Sequence, residues 1–324
     1  MTFPRTISGF TTAALFTTAL VGCTNTTLDS AEGDSAESET IQQPILGGQL
    51  ATGDKYRAVG ALVHALVIPG IGFIPFNAFC SATLVGPNEI LTARHCTPSI
   101  NNPPFPGLLA YFTVGDNAYA PDEYIPIAGF VTAPPSPSPS QGLLLDGGRD
   151  IAVAYLESSP ATAIPAQIGE FERSMLGSRF EIAGYGYNAE FAGLRYAGLS
   201  TASALEGHWY SLLFDRNRND YLAWYFTDAD TGNPTEFEAN TWWSLYKLEP
   251  TYELFVGGGE GDAVGCFGDS GGPMMLGDTA EELTLYGVGF ATEASKSQVC
   301  ALGNAFVPFY NKDIKDFVAA ALGQ

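Results

Sequence analysis

Basic residues are scarce in this chain of 324 residues. It has 14 lysines and arginines against 35 aspartates and glutamates, which gives a formal net charge of −21. A protein that binds nucleic acid or anionic lipid headgroups through charge needs a surplus of basic residues that displaces counterions, and this sequence has none. We therefore expect neither a nucleic-acid partner nor electrostatic docking on a membrane.

Charged residues of either sign are also few, at 15% of the chain, whereas apolar residues make up 46%. This ratio excludes intrinsic disorder for most of the chain. Long amphipathic stretches are rare. From Ile45 onward, short apolar runs such as Ala58–Ile68 and Cys80–Val85 alternate with turn residues. Because β-branched and aromatic residues are frequent in these runs, the pattern predicts a mainly β protein.

The first 44 residues differ in composition from the rest. Arg5 is followed by an uncharged, mostly apolar stretch up to Gly22, which is typical of a secretory signal peptide over residues 1–22. The stretch ends in Leu20-Val21-Gly22-Cys23, which resembles the lipobox of bacterial lipoproteins and implies a lipid on Cys23. Residues 23–44 carry five acids and no base, so we expect an acidic tether or propeptide. The alternative is a plain signal peptide that contains a cysteine.

Cysteine is rare, with five residues in the whole chain. An odd number in an exported protein leaves one thiol unpaired. If Cys23 carries the lipid, the other four can form two disulfides in an oxidising compartment. We therefore expect an exported protein that is held at the bacterial cell envelope, released from it, or both.

Helices are predicted at one place, the C terminus. Asn311 is a suitable N-cap there, and the apolar residues that follow recur at helical spacing: Ile314, Phe317, Val318, Ala321 and Leu322. Residues 204–262 hold all four tryptophans and many acids, and we interpret them as an insertion of hairpins packed on the body.

Three short segments carry groups suited to nucleophilic catalysis. Ser270 lies within Gly268–Gly272, where glycines permit a tight turn that exposes the hydroxyl oxygen and nearby N–H groups. His95 ends an apolar run beside Cys96, and Asp150 stands at the start of another apolar run. Each residue alone has a plain structural explanation. The order His, Asp, Ser along the chain is one of the known orders for a catalytic triad.

Taken together, these segments resemble the chymotrypsin/trypsin-like serine endopeptidase family. The resemblance runs from Ile45 to about Val318, and its motifs are several, ordered and specific. The matching segments are Ile45–Gly48, Phe79–Leu84, Leu91–Cys96, Ile182–Gly186 and Cys266–Pro273.

The resemblance implies an all-β fold of two six-stranded antiparallel β-barrels followed by a C-terminal α-helix. Residues 45–160 would form the first barrel, with His95 and Asp150. Residues 161–324 would form the second barrel, with Ser270 and the insertion. The implied activity is hydrolysis of proteins or peptides by a monomer, without cofactor or metal.

The resemblance also assigns roles to individual residues. Ser270 is the nucleophile, His95 the general base, and Asp150 the residue that orients His95. The backbone N–H groups of Gly268 and Ser270 would form the oxyanion hole. The implied disulfides are Cys80–Cys96 and Cys266–Cys300.

Activation by proteolysis is a further implication of the family. Asp269 is expected to pair with the α-amine of Ile45 once the chain is cut before that residue. Pro44 precedes the cut, and residues 24–44 contain no Arg or Lys, so we expect an unrelated protease to make it. Because no cysteine other than Cys23 precedes Ile45, the cut would release a soluble active form from an anchored inactive one.

Substrate preference is weakly encoded. By resemblance, Val264 lies at the base of the primary specificity pocket, six residues before Ser270, and Phe290, Ala291 and Thr292 lie near its walls. An uncharged base has no counter-ion for a basic side chain. We therefore expect cleavage after apolar rather than basic residues.

Two other functions stay open at this point. A catalytically silent lipoprotein of the same fold could act as a binding module through the aromatic insertion. An esterase of unrelated fold is disfavoured, because its histidine follows the serine in the chain.

The remaining histidines and acidic clusters are interpreted as structural. We expect His64 to be a strand residue and His208 to belong to the insertion. The Asp and Asn groups within residues 215–220 and 228–230 do not match a calcium-binding loop and are interpreted as solvated, so no metal is expected.

Overall fold

The computed structural model describes residues 45–135, 149–186, 193–229, 234–293, 300 and 302–323. The predicted signal peptide, Cys23 and the predicted tether lie outside the described residues. The strands are, in chain order, β1 (Gln49–Leu50), β2 (Val59–Ile68), β3 (Gly72–Leu84), β4 (Glu89–Thr92), β5 (Leu109–Val114), β6 (Glu123–Thr132), β7 (Ala152–Leu156), β8 (Gln167–Ile168), β9 (Arg179–Gly184), β10 (Tyr196–Ala204), β11 (Leu254–Val256), β12 (Pro273–Leu276), β13 (Thr284–Thr292) and β14 (Asn304–Pro308). The helices are α1 (Thr97–Asn101), α2 (Trp209–Leu213), α3 (Arg218–Thr227), α4 (Glu236–Leu245) and α5 (Lys312–Ala321).

These strands form the two predicted antiparallel barrels. The first closes in the order β2-β3-β4-β7-β6-β5. The second contains β9, β10, β11, β14, β13 and β12, and it closes because β9 pairs with β10 as well as with β12. Two short strands are added to the second barrel: β1 pairs with β10, and β8 pairs in parallel with β13. The all-β, two-barrel prediction is confirmed.

Each barrel is filled by apolar side chains that the strand pattern directs inward. In the first barrel Leu62, Ile90 and Phe112 are fully buried. The close pairing of β2 with β5 requires Gly60, because a Cβ atom there would lie 2.3 Å from the carbonyl oxygen of Thr113. Apolar runs of this kind cannot leave the core without exposing several side chains to water, which costs about 1.5–3 kcal/mol for each.

The two barrels are joined by a buried arginine. Arg195 precedes β10 and is fully buried. Its guanidinium donates to the carbonyl oxygens of Ala51 at 3.0 Å, Val59 at 3.2 Å and Gly115 at 3.2 Å, and it forms an ion pair with Asp116. Val59 and Gly115 lie at the ends of first-barrel strands, so one side chain ties both barrels together.

The insertion is helical, so the prediction of hairpins is wrong. Helices α2, α3 and α4 occupy much of residues 204–262. Asn217 is the N-cap of helix α3, and its side chain accepts from the N–H groups of Asn219 and Asp220. Helix α4 starts with a capping box between Thr235 and Glu238. These caps favour helices locally, and the aromatic residues then recur at helical rather than alternating spacing.

Aromatic side chains form the core between these helices. Ring centroids lie 5.0 Å apart for Tyr210 and Tyr221, and 5.0 Å apart for Tyr221 and Trp243. Tyr221 and Tyr225 are fully buried. These rings pack on one another and form an aromatic cluster that is continuous with the apolar core of the barrels.

The C-terminal helix is confirmed as α5. Asn311 caps it by accepting from the N–H of Asp313 at 2.9 Å, and Ile314 and Val318 are buried. The hydroxyl of Tyr155 in β7 donates to the carbonyl oxygen of Ala321 at 2.9 Å. Within the described part of the chain, no helix has both the length and the apolar character that crossing a bilayer requires.

We predict that Arg195→Met lowers the free energy of unfolding by about 3 kcal/mol, because buried carbonyl oxygens and Asp116 lose their donor. Chemical denaturation measures this change. Arg173→Met is the control: that side chain is largely exposed, and its loss should cost less than about 0.5 kcal/mol. Equal stability of the two variants would contradict a joining role for Arg195.

Candidate active site

The pairing of β4 with β7 brings His95 and Asp150 together. Thr92 pairs with Ala152, so the residues just after β4 lie beside those just before β7. The backbone N–H of His95 donates to Asp150 Oδ1 at 2.9 Å, and His95 Nδ1 lies 2.7 Å from Asp150 Oδ2. A carboxylate only accepts, so Nδ1 carries the proton and Nε2 is left as the acceptor.

Ser270 lies in the turn that precedes β12. The carbonyl oxygen of Ser270 accepts from the N–H of Ser81 in the first barrel at 2.8 Å. The next residue, Gly271, has φ of 88°, and a Cβ atom there would lie 2.0 Å from the Ser81 carbonyl oxygen. Only glycine fits this approach. Ser270 and His95 line one cavity of about 360 Å³.

The same turn offers two free N–H groups. Gly268 has φ of 94°, and its carbonyl oxygen accepts from Ser81 Oγ at 2.9 Å. Among the described residues, the N–H groups of Gly268 and Ser270 have no protein acceptor, whereas those of Asp269, Gly271 and Gly272 do. Two donors one residue apart, beside a candidate nucleophile, are suited to binding a developing oxyanion.

Both predicted disulfides are present. Cys80–Cys96 links β3 to the residue after His95, and Cys266–Cys300 holds the start of the Ser270 turn. The one cluster of possible metal ligands in the described part of the chain is Cys80, His95 and Cys96. Because both thiols belong to the disulfide, this cluster cannot hold a metal ion through them.

A protein-family model described as Trypsin matches residues 65–206. The matched range includes His95 and Asp150, and the chain beyond it continues into the second barrel, with Ser270. The chain has the fold of the trypsin family. No curated protein matches the chain.

Ile45 is where the trypsin-family resemblance places a new N terminus, and its side chain is buried at 1% exposure. Leu46 and Val264 exchange two backbone hydrogen bonds, of 2.8 and 3.0 Å. Ile45 and Asp269 line the same cavity. The Asp269 carboxylate accepts from the N–H groups of Cys266 and Gly186, each at 2.7 Å.

Burial raises the pKa of Asp269 to about 7, although its two backbone hydrogen bonds act in the opposite direction. In the described part of the chain, no basic side chain forms an ion pair with it. A carboxylate in this position is stabilised by any cation that reaches it.

The cavity has an uncharged inner wall. Phe290, Ala291 and Thr292 line it together with Gly265, and Val264, whose backbone pairs with that of Leu46, is not among the lining residues.

Asn304 and Phe306 complete this wall, and neither was predicted from the sequence. Asn304 Oδ1 accepts from the N–H of Gly265 at 2.6 Å, and its amide donates to the carbonyl oxygens of Val256 and Ala263, each at 3.2 Å. Its donors are therefore used within the protein. The signal that could have revealed Asn304 is a lone amide in the apolar run Asn304–Pro308.

The insertion contacts the end of this wall. Trp209 Nε1 donates to Glu293 Oε2 at 2.9 Å, and Glu293 directly follows Thr292. Burial raises the pKa of Glu293 to about 7, although the hydrogen bonds from Trp209 and Tyr210 lower it. Phe267, which is 59% exposed, also lines the cavity.

The histidines and acidic clusters that the sequence indicates to be structural lie away from the cavity. His64 is buried in β2 and bonds to Asn77 and Ser99, and His208 precedes α2. Asn217 and Asp220 bond to each other at the start of α3. Asp215 and Asn219 lie beside them, Asp228 follows α3, and Asp230 lies outside the described residues.

We predict that Asp269→Asn flattens the pH dependence of stability in the uncut chain. The Asp269 carboxyl group binds its proton more tightly in the folded chain than in the unfolded chain, where its pKa has the ordinary value of 3.8. The contribution of the protonated Asp269 to the free energy of unfolding is therefore fully present below pH 3.8 and is lost as the pH rises through about 7. Between these limits the wild type should lose roughly 2–4 kcal/mol more than the variant.

Denaturant titrations of both proteins across this pH range measure the difference. Glu293 titrates in the same range in both, so its contribution cancels. Parallel stability curves would show that Asp269 does not hold its proton.

Proposed function

We propose that this protein is a serine endopeptidase that hydrolyses peptide bonds through an acyl-enzyme. The observation that carries the proposal is the doubly hydrogen-bonded His95–Asp150 pair, of which His95 lines the same cavity as Ser270. The fold of the trypsin family supports it. The two-barrel fold also excludes the alternative of an esterase of unrelated fold.

The chemistry follows from the three side chains. Ser270 Oγ attacks the carbonyl carbon of the scissile bond while His95 Nε2 takes its proton. Asp150 stabilises the imidazolium, and His95 then gives the proton to the leaving amine. Water attacks the acyl-enzyme by the same route and regenerates Ser270.

The negative charge that forms on the carbonyl oxygen is bound by the N–H groups of Gly268 and Ser270. One such donor contributes roughly 2.7–4 kcal/mol in the transition state. The turn that presents these donors contains Asp269, so the state of that carboxylate affects the oxyanion site. No step of this mechanism requires a cofactor or a metal.

Activation by a cut before Ile45 is part of the proposal. The cut creates an α-ammonium at a buried residue that lines the same cavity as Asp269. An ammonium there would supply the cation that the Asp269 carboxylate lacks in the uncut chain. Pro44 at the cut points to an activating protease with a specificity different from that of trypsin.

Export and anchoring are proposed from the sequence alone. The lipobox-like segment supports a lipid on Cys23, which would be the enzyme's membrane attachment at the bacterial cell envelope. Cleavage before Ile45 would then release a soluble, active, monomeric protease that acts on proteins or peptides.

The uncharged pocket supports cleavage after apolar residues. Phe290, Phe306 and Gly265 provide apolar or neutral surface, and the donors of Asn304 are already used. A lysine or arginine side chain would be buried here without a counter-ion on the pocket wall, which is costly. Under this proposal the Asp269 carboxylate pairs with the ammonium of Ile45 in the cut chain, so it is not available as a counter-ion for a substrate side chain.

We predict that fluorophosphonate labels Ser270 after the cut and labels the uncut chain far more slowly. An enteropeptidase site placed directly before Ile45 makes the cut controllable. Ser270→Ala should abolish labelling and lower kcat by about 10⁵–10⁶-fold. If the cut chain is folded and neither labels nor hydrolyses peptides, the protein is instead a catalytically silent binding module.

We predict a preference for apolar residues before the scissile bond. In a peptide library, kcat/KM for apolar side chains should exceed that for Arg or Lys by roughly 100-fold or more. Profiling the cleaved bonds with the activated chain measures this ratio. Strong cleavage after Arg or Lys would contradict an uncharged pocket.

A further inference from the structure

The position of Asp150 requires an explanation beyond its own hydrogen bonds. In the described part of the chain, both carboxylate oxygens bond to His95. The backbone N–H of His95 helps to place the carboxylate, but the His95 ring takes its orientation from Asp150, so Asp150 must also be held from its own side. The backbone on either side of Asp150 must hold it.

On the C-terminal side the backbone is held by the sheet. Ala133 donates its N–H to the carbonyl oxygen of Ile151 at 3.0 Å, and β7 begins at Ala152. On the N-terminal side the neighbour is Arg149, which belongs to no strand. What fixes Arg149 therefore fixes the second end of the Asp150 segment.

The carbonyl oxygen of Arg149 accepts from the N–H of Ile151 at 2.9 Å, and its Nη1 donates to the carbonyl oxygen of Pro135 at 3.4 Å. The rest of its side chain, of which 12% is exposed, is held from outside this segment. Its Nη2 donates to the Tyr252 hydroxyl at 2.7 Å and to Asp313 Oδ2 at 3.0 Å. The Tyr252 hydroxyl donates to the same Oδ2 at 2.7 Å. The guanidinium carbon also lies 4.5 Å from the centre of the Tyr252 ring. We name this closed set of contacts, Arg149, Tyr252 and Asp313, the Arg149 clamp.

Both partners of Arg149 are themselves fixed. Asp313 lies in the first turn of α5, where Asn311 accepts from its N–H at 2.9 Å. Asn311 also donates to Thr251 Oγ1 at 2.8 Å. Thr251 has φ of 69°, a left-handed conformation that a β-branched residue adopts only when its surroundings enforce it. The constrained backbone at Thr251 therefore fixes the position of Tyr252 next to Arg149.

We propose that the Arg149 clamp positions Asp150 for catalysis. It holds the backbone next to Asp150 so that the carboxylate meets both N–H groups of His95. Arg149, Tyr252 and Asp313 are positioning residues under this proposal, which rests on the proposed function of His95, Asp150 and Ser270. The clamp thereby connects the C-terminal helix and the end of the aromatic insertion to the catalytic acid.

Tyr252→Phe tests the proposal, because it keeps the ring under the guanidinium and removes the hydroxyl that bonds to Arg149 and Asp313. Tyr155→Phe is the matched control. It also removes a tyrosine hydroxyl that connects the first barrel to α5, through Ala321, but it does not contact Arg149. A purely structural role predicts the same behaviour for both variants.

We expect Tyr252→Phe to lower kcat roughly tenfold and to change KM by less than about twofold, since misplacing Asp150 affects the chemical step. Tyr155→Phe should change both constants by less than about twofold. Titration with fluorophosphonate counts the active sites. The value of kcat is then calculated per active site, so protein that fails to fold does not lower it. Arg149→Lys keeps the charge but loses the planar fork and the stacking, so it should share the defect.

Proton NMR of the full chain provides a second measurement that does not depend on turnover. The proton between His95 Nδ1 and Asp150 resonates far downfield, and its signal should shift or broaden in Tyr252→Phe and stay unchanged in Tyr155→Phe. If the two variants match in kcat and in this signal, the clamp is only structural and the proposal is overturned. If the signal responds but no form of the protein hydrolyses peptides, the proposed function fails and the positioning role stands.

Discussion

The two hydrogen bonds between His95 and Asp150 are the interaction on which the candidate active site depends. They exist because β4 and β7 are paired with Thr92 opposite Ala152. A shift of this register by one residue would turn alternate side chains to the opposite face of the sheet and separate the pair. Both strands are short, but their residues are almost all buried, so each alternative register would expose core residues to water. The geometry of the candidate active site is therefore a consequence of core packing.

Ser270 reaches this pair from the other barrel, so its position depends on contacts between barrels rather than on its own sequence neighbours. Ser81 makes these contacts: its N–H donates to the carbonyl oxygen of Ser270, and its hydroxyl donates to that of Gly268. Arg195 joins the same two barrels away from the cavity. The insertion adds contacts at both ends of the site, through Trp209 to Glu293 and through Tyr252 to Arg149.

Sequence reasoning failed where a segment was long and aromatic. The prediction of hairpins for residues 204–262 did not take into account that Tyr221, Trp224 and Tyr225 recur at helical spacing. The capping residues Asn217 and Thr235 were a readable signal for helix starts. The resemblance places Val264 at the base of the pocket; in the structure Gly265 lines the cavity and the backbone of Val264 pairs with that of Leu46.

The sequence by itself determined the chemical groups and their order: His95, Asp150 and Ser270, the glycines around the serine, the cysteines and the short apolar runs. Such features are local, because turns, caps and alternating strands are encoded within a few residues. Only the tertiary structure decided that Asn304 lines the pocket and that Arg149 meets Tyr252 and Asp313. These last contacts join residues 103 and 164 positions apart, so they depend on how strands and helices pack and leave no pattern within any one segment.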